Sequence, residues 1–139
     1  MNHIIIKHNY VKGDSLFSNT FIKNALTYNN LEKVMKIAIT STGNTLESTI
    51  DPRFGRCAYF VVFDTESKST EFIPNPNKEA EEGAGPAAVE LVASRNANKI
   101  VSGEFGMKIK SLLDSLKIQM IVIKDPEKKI SEIIAMLNH

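Results

Sequence analysis

The stretch that decides the fold is IVSGEFGMKIKSLLDSLKIQMIVI, residues 100–123. Ile100-Val101-Ser102 is short and apolar, and Gly103 and Gly106 break it off. Ile109, Leu112, Leu113 and Leu116 then recur at i, i+3, i+4 and i+7, the spacing of one helix face. Met120–Ile123 is apolar again. A strand, a helix and a second strand in this order predict a right-handed parallel crossover.

Downstream, Ile130, Ile133, Ile134 and Leu137 repeat the helical spacing. Asp125 reads as the N-cap of that last helix and Pro126 as its first residue. Upstream, Pro86 suits the first position of a helix in which Ala88, Leu91, Val92 and Arg95 share a face. Lys36–Thr40, Ala58–Asp64 and Ser69–Ile73 read as three strands joined by short links, which favours an antiparallel meander. Ala58–Asp64 is apolar almost throughout, as in a strand covered on both faces. Pro74-Asn75-Pro76 stops the third strand. The pattern is therefore α/β: a five-stranded mixed sheet with helices on its faces.

Residues 1–34 read differently. They are rich in Asn and aromatic residues and contain no Pro. Phe17, Phe21, Ala25 and Tyr28 fall at helical spacing, so this is expected to be an amino-terminal extension, flexible or forming an accessory helix over Ser18–Lys33.

Composition narrows the chemistry. The 139 residues suit one domain, with 17 Lys plus Arg against 16 Asp plus Glu. A formal net charge of +1 gives no global pull toward nucleic acid or membrane. Cys57 is the sole cysteine, which excludes an intrachain disulfide and a paired-thiol metal site. His3, His8 and His139 lie near the chain ends, so the middle of the chain has no imidazole. No apolar run approaches the roughly 18 residues needed to cross a bilayer. Ile4-Ile5-Ile6 is too short for a secretory core, and a cytoplasmic location is expected.

Four blocks carry a resemblance: Met35-Lys36-Ile37-Ala38-Ile39, Asp51-Pro52-Arg53-Phe54-Gly55-Arg56, Gly83-Ala84-Gly85-Pro86 and Ile100-Val101-Ser102-Gly103-Glu104-Phe105-Gly106. Together they resemble the dinitrogenase iron–molybdenum cofactor biosynthesis family, which includes NifX-like proteins and the carboxy-terminal domain of NifB. The likeness runs from Met35 to about Met136, which makes 35–139 the domain. It implies a ribonuclease H-like three-layer α/β/α fold, strand order 3-2-1-4-5 with strand 2 antiparallel. It also implies a non-catalytic role in binding or carrying an iron–sulfur or iron–molybdenum cluster precursor, exchanged with a cluster donor or acceptor protein. The chain departs from the family in having no His in the domain before His139, and in opening the helix after Gly106 with Met107-Lys108-Ile109.

The candidate site follows from these blocks. Arg53 and Arg56, in a loop shaped by Pro52 and Gly55 and carrying Phe54, can hold an anion by bidentate hydrogen bonds. The plainer alternative is a turn whose arginines are solvated or pair with Asp51 and the acidic stretch Glu79–Glu82. Cys57 beside Arg56 is the candidate metal ligand, if its thiolate is favoured; otherwise it is a small buried apolar group. One thiolate holds a cluster weakly, so a second chain or a partner would have to complete the site, and air-purified protein is expected to carry little iron. Gly83, Gly85, Gly103 and Gly106 precede helices whose first N–H groups attract anions. Gly43 follows the first strand, at the edge where open α/β sheets gather their sites. The oligomer is expected to be a monomer or weak homodimer. Two rivals stand beside the carrier: a protein-interaction or small-anion module with no cluster, and, last, a nuclease using Asp64, Glu66, Glu71 and Glu104.

Overall fold

A computed structural model describes residues 3–5 and 35–138. The helix expected over Ser18–Lys33 lies outside them. In chain order the elements are β1 His3–Ile5, β2 Lys36–Ser41, β3 Tyr59–Asp64, β4 Thr70–Pro74, α1 Ala84–Ser94, β5 Lys99–Ser102, α2 Met107–Ser115, β6 Gln119–Val122 and α3 Ile130–Leu137.

The sheet order is β1-β6-β5-β2-β3-β4. β2, β3 and β4 form the antiparallel meander, with Ile37 opposite Phe63 and Val61 opposite Phe72. β2, β5 and β6 are parallel, with Ala38 beside Ile100 and Ile100 beside Met120. Strands β4-β3-β2-β5-β6 are thus the five expected, in the 3-2-1-4-5 order with the second antiparallel. β1 adds a sixth at the edge, antiparallel to β6, within a segment that the sequence reading assigned no strand.

Alternation along the strands builds two cores. Ala38, Phe60, Val62, Ile100 and Met120 point to the face covered by α1 and α2, where Ala88, Val89, Val92 and Leu113 meet them. Ile37, Ile39, Val61, Val101 and Ile121 point to the other face, where Ile130 and Ile133 of α3 cover them. This is the three-layer α/β/α arrangement, and it explains why β3 is apolar throughout. On α2 only Leu113 is fully buried, while Leu112 and Leu116 of the expected apolar face remain exposed. No helix among the described residues is long and apolar enough to cross a membrane.

Two helix starts differ from the sequence expectation. α1 begins at Ala84 after Gly83, which sits at φ 80°, so Pro86 lies within the first turn instead of opening it. The first turn tolerates proline because its N–H groups have no intrahelical acceptor anyway. α3 begins at Ile130, not after Asp125. Asp125 instead closes a turn, its Oδ1 accepting the Glu127 N–H at 2.9 Å. Tertiary pairing overrides the local cap. The N–H of Ile50 donates to Lys128 O, and the N–H groups of Ile130 and Ser131 donate to Ser48 O and Leu46 O at 2.8 and 3.0 Å. The 46–50 loop thereby satisfies the first donors of α3, and the helix starts where that loop ends.

Candidate functional site

The carboxyl ends of parallel β2 and β5 define one edge of the sheet, and the Asp51–Cys57 loop is fastened across it. Thr40 at the end of β2 accepts the Asp51 N–H on its carbonyl at 3.0 Å, and its Oγ1 donates to Asp51 O at 2.6 Å. Arg53 bridges in parallel to Glu104, just beyond β5. Gly103 makes the close approach: a Cβ there would stand 2.6 Å from Pro52 Cα. Phe54 turns inward at 5.5 Å from the Phe105 ring and 6.0 Å from Phe60, which anchors the loop in the core.

The loop then meets both helix starts. A Cβ on Gly55 would fall 2.9 Å from the Gly85 nitrogen, and one on Gly85 would fall 2.8 Å from Ile109 of α2. Glycine at 55 lets the loop backbone meet that of residues 84–85, and glycine at 85 leaves room for the Ile109 side chain. The result is a cleft of about 540 Å³ bounded by the 53–56 loop, the 83–85 turn and residues 104–109. Of the expected residues, Arg53, Phe54, Gly55, Arg56, Gly83, Gly85 and Gly106 line it. Neither α1 nor α2 has a side-chain cap, and neither carries an acid in its first turn. Both therefore present unpaired N–H groups and partial positive charge to the same space.

Gly43, Gly103 and Cys57 do not line it. Gly43 is folded against Ser48, its carbonyl accepting from Ser41 Oγ at 2.7 Å. Gly103 serves the loop by passing beneath Pro52. Cys57, the candidate metal ligand, is fully buried in the α1–α2 core. Burial pushes its thiol well above the usual range, and the nearby Asp51 charge pushes the same way. A protonated thiol inside a core is a packing group, not a soft ligand.

That shift has a measurable sign. Below pH 9 the thiol keeps its proton in both folded and unfolded chains. Above that, the unfolded chain releases it while the fold retains it, so stability falls as pH rises. Between pH 7.5 and 10.5 the native protein should lose roughly 2 kcal/mol more than Cys57→Ala in urea unfolding. Parallel losses in the two proteins would show that the thiol ionises freely in the fold.

The arginines are held in different ways. Arg53 pairs with Asp51, Nε to Oδ1 at 3.2 Å and Nη2 to Oδ2 at 3.3 Å. This hydrogen bond and charge raise the guanidinium pKa further. Arg56 donates to the carbonyls of Lys78 and Ala80 through Nη1 and of Glu81 through Nη2, so it binds the backbone of the acidic stretch and not its carboxylates. Asn75 is a residue that the sequence reading used only as a strand stop. It is buried, and its Nδ2 donates to Gly55 O at 3.0 Å and Cys57 O at 2.9 Å. An Asn held between two prolines was the available signal.

The carboxylates proposed for nuclease chemistry do not converge. Asp64 lies opposite Lys36, at the end of the sheet away from Glu104. It accepts the N–H groups of Glu66 and Ser67 in the hairpin. Glu71 pairs with Arg95. Two-metal chemistry needs its carboxylates at one point.

Fold and cleft define a small open α/β domain with a cleft at the carboxyl edge of its parallel strands, the edge where such sheets gather their sites. Residues 35–139 match the dinitrogenase iron–molybdenum cofactor family, and the chain belongs to it. Among solved structures it is similar to the apo form of the orange protein from Desulfovibrio gigas, with 28 % identity over 73 % of this chain and 84 % of that one, TM-score 0.68. A NifB-like protein from Thermotoga is also 28 % identical over 73 % and 84 %, TM-score 0.61. A dinitrogenase-related protein from Methanocaldococcus jannaschii shares the fold at 22 % identity over 74 % and 90 %, TM-score 0.51. No curated protein sequence matches significantly.

Proposed function

We propose that this protein is a non-catalytic carrier that holds an anionic iron–sulfur or iron–molybdenum cluster precursor in the cleft. The observation that carries this reading is the convergence of two uncapped helix N-termini and Arg53 on one space, with Arg56 at its edge and committed to the carbonyls of residues 78–81. Backbone N–H groups and guanidinium groups suit a delocalised anion. Phe54, Phe105 and Ile109 give the cleft an apolar wall against which a sulfide face can rest. Membership of the cofactor family supports a cluster as cargo, and a relative described in an apo form supports reversible loading. The carrier works in the cytoplasm as a monomer or weak homodimer, between a donor and an acceptor protein, and uses neither nucleic acid nor membrane.

The donor set favours a second reading as well. It contains no thiolate, and N–H and guanidinium groups bind oxyanions too, as in a small-anion module with no cluster. Anaerobic titration with a synthetic, water-soluble, thiolate-capped iron–sulfur cluster dianion, beside phosphate and molybdate, separates the two. Saturable cluster binding that phosphate does not displace supports the carrier. Binding of phosphate alone supports the second reading.

Because no thiolate anchors the cargo, protein made and purified in air should hold far less than one iron per chain. Metal analysis of the air-purified monomer checks this, and stoichiometric, tightly held iron would overturn it.

A further inference from the structure

We propose that Asp51 is a positioning residue that aims the Arg53 guanidinium into the cleft; this rests on the carrier reading above. Asp51 is 2 % exposed, whereas the Arg53 side chain is 53 % exposed. The carboxylate takes two donors on each oxygen. Oδ1 accepts the Arg53 N–H at 3.1 Å and Nε at 3.2 Å, and Oδ2 accepts Nη2 at 3.3 Å and the Ala58 N–H at 3.3 Å. It thus grips the guanidinium along its Nε–Nη2 edge. Nη1 has no acceptor among the described residues, and Arg53 lines the cleft.

The grip is anchored on rigid strands. Asp51 is tied to the end of β2 through Thr40, and the Arg53 backbone is bridged to Glu104 at the end of β5. A free surface arginine loses rotamer freedom when it captures an anion. Arg53 has already lost much of that freedom in the fold, so less is lost on binding. A buried carboxylate beside an anion site otherwise only repels the anion. The two roles predict opposite signs when its charge is removed.

The test uses the full chain and the thiolate-capped iron–sulfur cluster dianion, titrated anaerobically. If Asp51 acts through Arg53, Asp51→Asn should weaken binding by roughly 5- to 10-fold despite removing a negative charge. Adding Asp51→Asn to Arg53→Ala should weaken it no further. Arg53→Lys keeps the charge but cannot be held along a fork, so it should bind about as poorly as Arg53→Ala. This lysine–alanine comparison leaves Asp51 in place, so it holds even if Asp51→Asn folds poorly. Tighter binding by a folded Asp51→Asn, or native-like binding by Arg53→Lys, would overturn the positioning role. Unchanged binding by Arg53→Ala would overturn Arg53's part in the carrier reading and the positioning role with it.

Discussion

Asp51→Ala should unfold with a stability about 3 kcal/mol lower than the native protein. The alanine leaves the N–H groups of Arg53 and Ala58 without their acceptor in a site that is 2 % exposed. Each orphaned donor costs about 1–3 kcal/mol. The lost ion pair adds little more, because the Arg53 side chain is 53 % exposed and is rehydrated by water. In a domain of this size the melting temperature should fall by roughly 12 °C or more. Thermal and urea unfolding measure it, and a loss under about 1 kcal/mol would show that the carboxylate does not organise the loop.

Gly106→Asp should separate binding from stability. Gly106 is the N-cap of α2 at φ −70° and ψ 159°, a conformation open to any residue, and a Cβ there meets nothing within 4 Å. Aspartate is among the best N-caps, so the helix should be as stable as before or slightly more so. The new carboxylate takes the first-turn N–H groups for itself and sets a negative charge in the cleft. Removing those contacts and adding repulsion amounts to about 3 kcal/mol, or roughly 100-fold in affinity for the cluster dianion. A variant that melts no lower than native but binds as well as native would mean that the α2 terminus takes no part.

Much of this architecture was legible because the hydrophobic pattern repeats the tertiary environment. The continuous apolar run of β3 answers to two covered faces, link lengths and crossover handedness pointed to the meander and the parallel crossovers, and the family resemblance implied the strand order. What misled was local chemistry that tertiary contacts overrule. Asp125-Pro126 has the form of a helix start, yet the 46–50 loop supplies the acceptors further on and moves the start of α3 to Ile130. The cleft was legible as separate parts: the arginine loop and two glycine-rich helix starts. Their meeting depends on Gly55 and Gly85 letting backbones touch, which spacing along the chain cannot show. Cys57 was ambiguous for a similar reason. Its neighbour Arg56 favours a thiolate on paper, but the residue points into the core while Arg56 turns to the carbonyls of residues 78–81. The Arg53–Asp51 pair was foreseen as the plainer alternative for the loop, but nothing in the sequence says that the carboxylate is buried.

The proposed carrier holds its cargo by helix N-termini and the Arg53 guanidinium and not by the thiol. This is tested most directly by loading Cys57→Ala and Gly106→Asp in parallel with the thiolate-capped iron–sulfur cluster dianion without oxygen, and measuring iron per chain after desalting. Cys57→Ala should retain as much iron as the native protein while Gly106→Asp retains almost none. Loss of iron from Cys57→Ala with full retention by Gly106→Asp would contradict the proposal.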